Sequence, residues 1–180
     1  MPEDGAAIEI SEATPADAAG IGYVQLEGWL TTYVNAEHGI TVEDLLLLDF
    51  ANAHKLLAEA STGTKPEDDT TRSWVAKSAG TVVGFSSAHR DTDTNKLCAL
   101  YVLSEFRGMG LGKLLAERAI QWLGRDRDIV LTVASFNEHA IVFYQRLGFY
   151  LGPPVVHDEP VFASGHDWPE VEMRLGRHIA

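Results

Sequence analysis

The segment Arg107-Gly108-Met109-Gly110-Leu111-Gly112-Lys113 constrains the fold of this chain more than any other. It separates an apolar, strand-like run, Asn95 to Leu103, from a stretch in which Leu111, Leu114, Leu115, Ala119 and Trp122 recur at the spacing of one helix face. Glycines at such a junction let the backbone turn tightly and bring successive N–H groups toward one point, where the following helix adds the positive end of its dipole. That geometry suits a phosphate. A glycine-rich turn that merely starts a helix is the alternative. Two better-known phosphate loops do not fit. For GxxxxGK followed by Ser or Thr, the distance from Gly108 to Gly112-Lys113 is one residue short, and Leu114 stands where a hydroxyl should meet Mg²⁺. For GxGxxG, Lys113 takes the third glycine position and Ser104 to Arg107 intervene between strand and glycines, although Asp128 lies about 20 residues on.

Around this junction the pattern is an alternation of short strands and helices. Ile8 to Ser11 alternates briefly, and Thr14-Pro15-Ala16-Asp17 then supplies a cap and a first-turn proline for a helix running to about Tyr33. Thr41-Val42-Glu43-Asp44 opens a second helix with Leu45, Leu48, Ala51 and Leu56 on one face, ending near Ser61; Thr62 to Thr71 reads as a loop. Ser73 to Ser78 and Val82 to His89 flank Ala79-Gly80 as a hairpin, with Asn95 to Leu103 as a third strand. After the helix Gly110 to Leu123 come a strand, Ile129 to Ala134, a helix, Ala140 to Leu147, and two strands, Phe149 to Val156 and Val171 to Leu175. The order predicts a mixed α/β protein with a central sheet covered by helices.

Length and charge narrow the function classes. At 180 residues the chain is expected to form one domain over 1–180, with 1–6 as a frayed tail, and no apolar run approaches the ~20 residues that span a bilayer. No membrane partner is expected. The formal charge of -12 argues against a nucleic-acid partner, which needs clustered Lys and Arg. One cysteine, Cys98, cannot form an internal disulfide; it sits in an apolar run and is expected to be a buried thiol in a reducing, cytoplasmic setting. His157-Asp158-Glu159 and His166-Asp167 read as a polar loop, since no pair has the spacing of a helical zinc site, and no metal is expected.

A second signal follows the first: Asn137-Glu138-His139-Ala140-Ile141-Val142-Phe143-Tyr144-Gln145-Arg146-Leu147-Gly148-Phe149. At ~100° per residue, positions seven apart return to nearly one helix face, so Asn137 and Tyr144 point the same way with Ala140 between them. Taken alone, Asn137 as cap, Tyr144 as core filler and Gly148 as helix terminator account for these residues equally well. The two signals together, R-x-x-G-x-G on a strand-to-helix turn and then N-x-x-A-x-x-F-Y-x-x-x-G-F, resemble the GNAT N-acetyltransferase superfamily from about Leu97 to Phe149.

The resemblance implies a mixed, mostly antiparallel central sheet flanked by helices, with acetyl-CoA as cosubstrate. It implies that backbone N–H groups of Arg107, Gly108, Met109, Gly110, Leu111, Gly112 and Lys113 hold the pyrophosphate. Leu100, Tyr101 and Val102 would bond the pantetheine arm and the thioester carbonyl, Asn137 and Ala140 would flank the arm, and Tyr144 would protonate the departing thiolate. Direct attack by an amine is implied, without a covalent enzyme intermediate. Some relatives carry a Glu base five residues before the Asn; here that residue is Thr132, leaving a water chain or one of His89, Glu27, His38 and Glu105 as the base. Trp29-Leu30-Thr31-Thr32-Tyr33, Trp122 and Pro169-Glu170-Val171-Glu172-Met173 look like a branch that includes small-amine and polyamine acetyltransferases. Acids at Glu37, Glu43, Asp44, Asp49, Asp158, Glu159, Asp167, Glu170 and Glu172 either point to a cationic small-molecule amine as acceptor or are solvated surface acids, as on many soluble proteins. A protein N-terminus as acceptor, or an acyl-CoA sensor without chemistry, are the competing functions, and a homodimer is left open.

Overall fold

The computed structural model describes residues 7–47, 70–157, 162 and 169–177. Its elements are β1 (Ile8–Glu12), α1 (Ala18–Thr32), α2 (Val42–Leu47), β2 (Thr71–Ser78), β3 (Thr81–His89), β4 (Asn95–Val102), α3 (Leu111–Leu123), β5 (Ile129–Ala134), α4 (Glu138–Arg146), β6 (Tyr150–Val155) and β7 (Glu170–Leu175). This is the predicted order. The expected continuation of the second helix to Ser61, most of the loop after it, and the acids Asp49, Asp158, Glu159 and Asp167 lie outside the described residues.

Among the described residues seven strands form one sheet in the order β1-β2-β3-β4-β5-β7-β6, antiparallel everywhere except between β4 and β5. The β2–β3 hairpin turns at Ala79 and Gly80, with φ of 48° and 80°, the positive values that a two-residue turn matched to strand twist requires. Pro153 and Pro154 fall in β6, an edge strand, where a missing N–H leaves one side of the ladder intact.

Helices cover both faces. Gly28 of α1 approaches the Tyr101 ring on one side of β4, while on the other side the Ser86 hydroxyl of β3 donates to the Leu115 carbonyl of α3 at 3.1 Å. The stripe that α3 buries is Leu111, Leu115, Ala116, Ala119 and Leu123; Leu114, expected on the core face, is 48% exposed because the i, i+4 row rather than i, i+3 meets the sheet. Phe85, Val75, Ile129 and Met173 complete the central core, and Asn95, fully buried, donates from Nδ2 to the Leu123 carbonyl at 2.9 Å. That bond ties the start of β4 to the end of α3. A smaller cluster of Ile40, Leu45 and Phe162, flanked by Trp29, Leu30, Tyr33 and Phe136, lies beside the far end of α1.

Candidate functional site

The site begins where the sheet comes apart. β4 and β5 pair only at Asn95↔Ile129 and Lys96↔Val130, and from there on the β4 edge that faced β5 has no strand beside it among the described residues. The cause lies on the other edge: Ala88 pairs with Leu97 and Ser87 with Ala99, so Cys98 is the extra residue of a β-bulge. A bulge increases local twist and bends its strand. It sits at the point where the two strands separate. Cys98 is therefore not the buried thiol expected from its apolar surroundings; it is exposed at the floor of the resulting cleft. The cleft walls still push its pKa up, against the pull of Lys96.

The cleft is lined from β4 by Leu100, Tyr101 and Val102, from β5 by Thr132, from the turn and α3 by Arg107 and Gly112, and from α4 by Asn137, Ala140 and Tyr144. Gly108 and Gly110 carry φ of 79° and 81°, and a Cβ on either would meet nothing within 4 Å, so their backbone faces open space. The first intrahelical bond donated in α3 runs from Leu114 N to the Gly110 carbonyl at 3.1 Å, leaving earlier N–H groups free of intrahelical partners. Gly110 is the N-cap and offers no side chain to satisfy them. Open donors at the start of a 13-residue helix are a fit for an anionic group such as a pyrophosphate. Leu111 itself is buried, Met109 is exposed, Lys113 lies 3.7 Å from Glu117, and the Arg107 Nε donates to the Val102 carbonyl at 3.1 Å. Arg107 thus fastens the turn to the end of β4.

Asn137 both caps α4 and lines the cleft, its Oδ1 accepting from Ala140 N at 3.1 Å. The helix starts at Glu138, two residues earlier than its apolar pattern marked, because this cap recruits Glu138 and His139 into the first turn. At the other end Gly148, φ 93°, reverses the chain: its N–H reaches the Gln145 carbonyl at 2.9 Å and the Phe149 N–H reaches the Tyr144 carbonyl at 3.0 Å. This doubly bonded helix end brings Phe149 back onto Tyr144, ring centroids 5.7 Å apart. Phe143 packs edge-on to the same ring at 5.2 Å. The spacing F-Y-x-x-x-G-F is thus the local means of fixing one buried phenol. Burial raises the Tyr144 pKa, with the nearby Tyr33 adding to the effect, so the hydroxyl keeps its proton at neutral pH.

Two phenols that the sequence did not single out for their hydroxyls stand close by. The Tyr33 and Tyr101 hydroxyls are 3.4 Å apart. Burial raises both pKa values; for Tyr33 the bond to Tyr101 works against this and the Glu170 charge works with it. Glu170, the first residue of β7, meets His157 Nε2 at 3.1 Å. The neighbouring Glu172 is held by Arg174 at 2.9 and 3.1 Å, and Arg174 also reaches Asp128 at 2.9 Å.

The four candidate bases are dispersed. His89 bonds the Thr71 hydroxyl at 2.8 Å and pairs with Lys96, at the end of β4 still joined to β5. Glu105 is exposed beside Ser104, Glu27 lies on α1 and is not among the side chains that line the cleft, and His38 stacks on Phe136 at 4.8 Å. Of the acids grouped at the interhelical region, Asp44 is buried as the partner of Thr41 at the start of α2, at 2.8 to 3.1 Å, and faces no substrate. Among the described residues no group of three or more His, Cys, Asp or Glu could hold a metal ion.

The sheet is split between two parallel strands, and an open glycine turn and a buried phenol both border the split, an arrangement able to take a long phosphate-bearing ligand. The sequence profile of the acetyltransferase (GNAT) family matches residues 40–149, and the chain belongs to that family. It is 35% identical over 80 residues to N-acetylaspartate synthetase of Rattus norvegicus, covering 42% of this chain and 27% of that protein. It is 30% identical over 83 residues to N-alpha-acetyltransferase MAK3 of Arabidopsis thaliana, covering 45% and 44%. The chain thus spans less than half the length of these curated relatives. The PaiA N-acetyltransferase of Thermoplasma acidophilum, solved in complex with coenzyme A, shares the fold at a TM-score of 0.72 and 18% identity over 96% of this chain and 99% of that one.

Proposed function

We propose that this protein transfers an acetyl group from acetyl-CoA to a primary amine, with small cationic amines and polyamines as the acceptor class. The observation that carries this reading is one cleft lined by Arg107 and Gly112 of the glycine turn, by Leu100–Val102 of the β4 edge and by Tyr144. In this reading acetyl-CoA supplies the activated acyl group. The turn N–H groups hold its phosphates, the free β4 edge aligns the pantetheine arm and polarises the thioester carbonyl, and Asn137 and Ala140 flank the arm. Tyr144 then gives its proton to the leaving sulfur, a task suited to a phenol that burial keeps protonated. The overall charge of -12 favours a cationic acceptor. Residues 1–180 form one domain in this reading. The single cysteine fits a cytoplasmic location, and no helix among the described residues is long and apolar enough to cross a membrane.

The test is thiol release from acetyl-CoA with spermidine, neutral amino acids and peptides of free N-terminus. Preferential turnover of spermidine, weakening as salt shortens the Debye length from about 10 Å at 0.1 M toward about 3 Å at 1 M, is the expected result. Preference for peptides would make the protein an N-terminal acetyltransferase. Acetyl-CoA binding without any turnover would make it a sensor.

A further inference from the structure

β5 presents Thr132 to the cleft, and a threonine hydroxyl takes no proton at neutral pH. An amine that arrives as an ammonium must lose a proton before its nitrogen can attack. The next strand supplies the missing group. Thr132 pairs with Glu172 and Ala134 with Glu170 across the β5–β7 ladder, and directly paired residues share a face of the sheet. Glu170 and Glu172 therefore stand on the face from which Thr132 enters the cleft. Glu172 is engaged by the Arg174 guanidinium through two bonds. Glu170 is not: its carboxylate, 14% exposed, contacts the His157 ring at 3.1 Å. Glu170 also lies opposite Ala134, the last residue of β5, at the end of the gap farthest from the β4–β5 pairing. From there its charge reaches the phenol of Tyr33, which lines the cleft and stands 3.4 Å from the Tyr101 hydroxyl.

We propose that Glu170 and His157 form the acceptor's docking point: the Glu170 carboxylate holds a primary ammonium, and the Glu170–His157 pair takes one of its protons before the amine attacks. The inference rests on the acetyl-transfer reading and narrows it to one acceptor contact. The proton ledger closes. The ammonium gives one N–H proton to the pair, the freed nitrogen forms the N–C bond as the C–S bond breaks, the thiolate takes its proton from Tyr144, and the nitrogen's remaining surplus proton passes to solvent as Tyr144 is reprotonated from it. A histidine beside a carboxylate suits this role because the imidazole can accept a proton while the carboxylate stabilises the cation that forms. Among the described residues, the titratable or charged groups linked to the pair are the Tyr33 phenol of α1, which feels the Glu170 charge, the Tyr101 and Tyr144 phenols of β4 and α4 that neighbour Tyr33, and the Glu172, Arg174 and Asp128 cluster on the same face of the sheet. The three phenols keep their protons at neutral pH.

The test uses Glu170→Gln, Glu170→Asp and His157→Asn with spermidine as acceptor. Glu170→Gln is expected to lower kcat/KM on the order of 10²-fold at pH 7 while leaving the thermal shift caused by acetyl-CoA unchanged. The deficit should narrow as pH approaches about 10.4, the value of a simple alkyl ammonium, because the amine then arrives already deprotonated. Glu170→Asp should recover part of the loss. His157→Asn leaves the carboxylate in place and should weaken the same pH dependence, which keeps the idea testable if Glu170→Gln fails to fold. Wild-type kcat/KM in both Glu170→Gln and His157→Asn, or a deficit equal at every pH, overturns the assignment while leaving acetyl transfer intact. A wild-type protein that binds acetyl-CoA and acetylates no amine overturns both.

Discussion

The start of α3 and the starts of α2 and α4 solve one problem in opposite ways. Every helix begins with N–H groups that lack intrahelical partners. At α2, Thr41 and Asp44 bond each other's backbone, the Thr41 Oγ1 accepting from Asp44 N at 3.1 Å and the Asp44 Oδ2 accepting from Thr41 N at 3.0 Å. At α4, Asn137 accepts from Ala140 N. At α3 the N-cap is Gly110, which has nothing to offer. Closed starts are structural. A start left open, on the rim of a cleft, is where an anionic ligand can replace the missing cap.

The substitution that breaks this contrast most severely is Gly110→Val. A β-branched residue at φ 81° is strained by on the order of 1–3 kcal/mol and places methyl groups in the space before the N–H donors. The variant should also lose the stabilisation of about 2.7 kcal/mol that acetyl-CoA confers at 100 times its dissociation constant. Thermal unfolding with and without acetyl-CoA measures both. A shift equal to wild type would remove the turn from the ligand site.

Next in size is Tyr144→Phe, which sharpens the contrast by leaving the closed ends of α4 untouched. The ring still packs between Phe143 and Phe149, so acetyl-CoA should bind as before while kcat falls on the order of 10²-fold. Undiminished kcat would mean that the thiolate takes its proton from water.

A smaller effect separates two closed starts. Thr41→Ala and Asn137→Ala should each cost about 1 kcal/mol of unfolding free energy as lost caps. Only Asn137→Ala should also weaken acetyl-CoA binding, since Asn137 lines the cleft and Thr41 does not. Equal acetyl-CoA affinity in the two variants would reduce Asn137 to a cap.

The smallest effect is at the entry to α1, where Asp17 accepts from Thr14 N and its hydroxyl at 2.9 Å and pairs with Lys77 at 2.7 Å. Burial pushes the Asp17 pKa up, but the bonds from Lys77 and Thr14 outweigh it and the net shift is downward. A carboxylate with a lowered folded pKa stabilises the fold above its unfolded value of about 3.9 and loses that contribution as pH falls through the folded value. Wild type should therefore exceed Asp17→Asn by up to about 1 kcal/mol at pH 7, with the difference starting to shrink below about pH 3.9 and vanishing only once pH has fallen through the lower folded value. A difference that persists in acid would locate the effect in packing.

The sequence by itself determined the parts of this protein that are local. The glycine turn, the order of strands and helices, the Asn137 cap and the Tyr144-to-Phe149 return each depend on residues within about two helical turns, where backbone sterics and N–H accounting act directly. The tertiary structure decided everything that depends on register between distant strands. Cys98 looked buried because its neighbours are apolar; the register of β3 against β4 makes it the residue of a bulge, and the thiol opens onto the cleft. Asp44, counted among acids facing a substrate, is spent on the start of α2. Glu170, one of the acids expected to face a cationic acceptor, and His157, read as part of a polar loop, are 13 residues apart, and they meet only because β6 and β7 pair. Strand pairing is set by the total burial of the sheet's faces, a property of the whole chain, and it alone brings a carboxylate from β7 to the face that Thr132 occupies on β5.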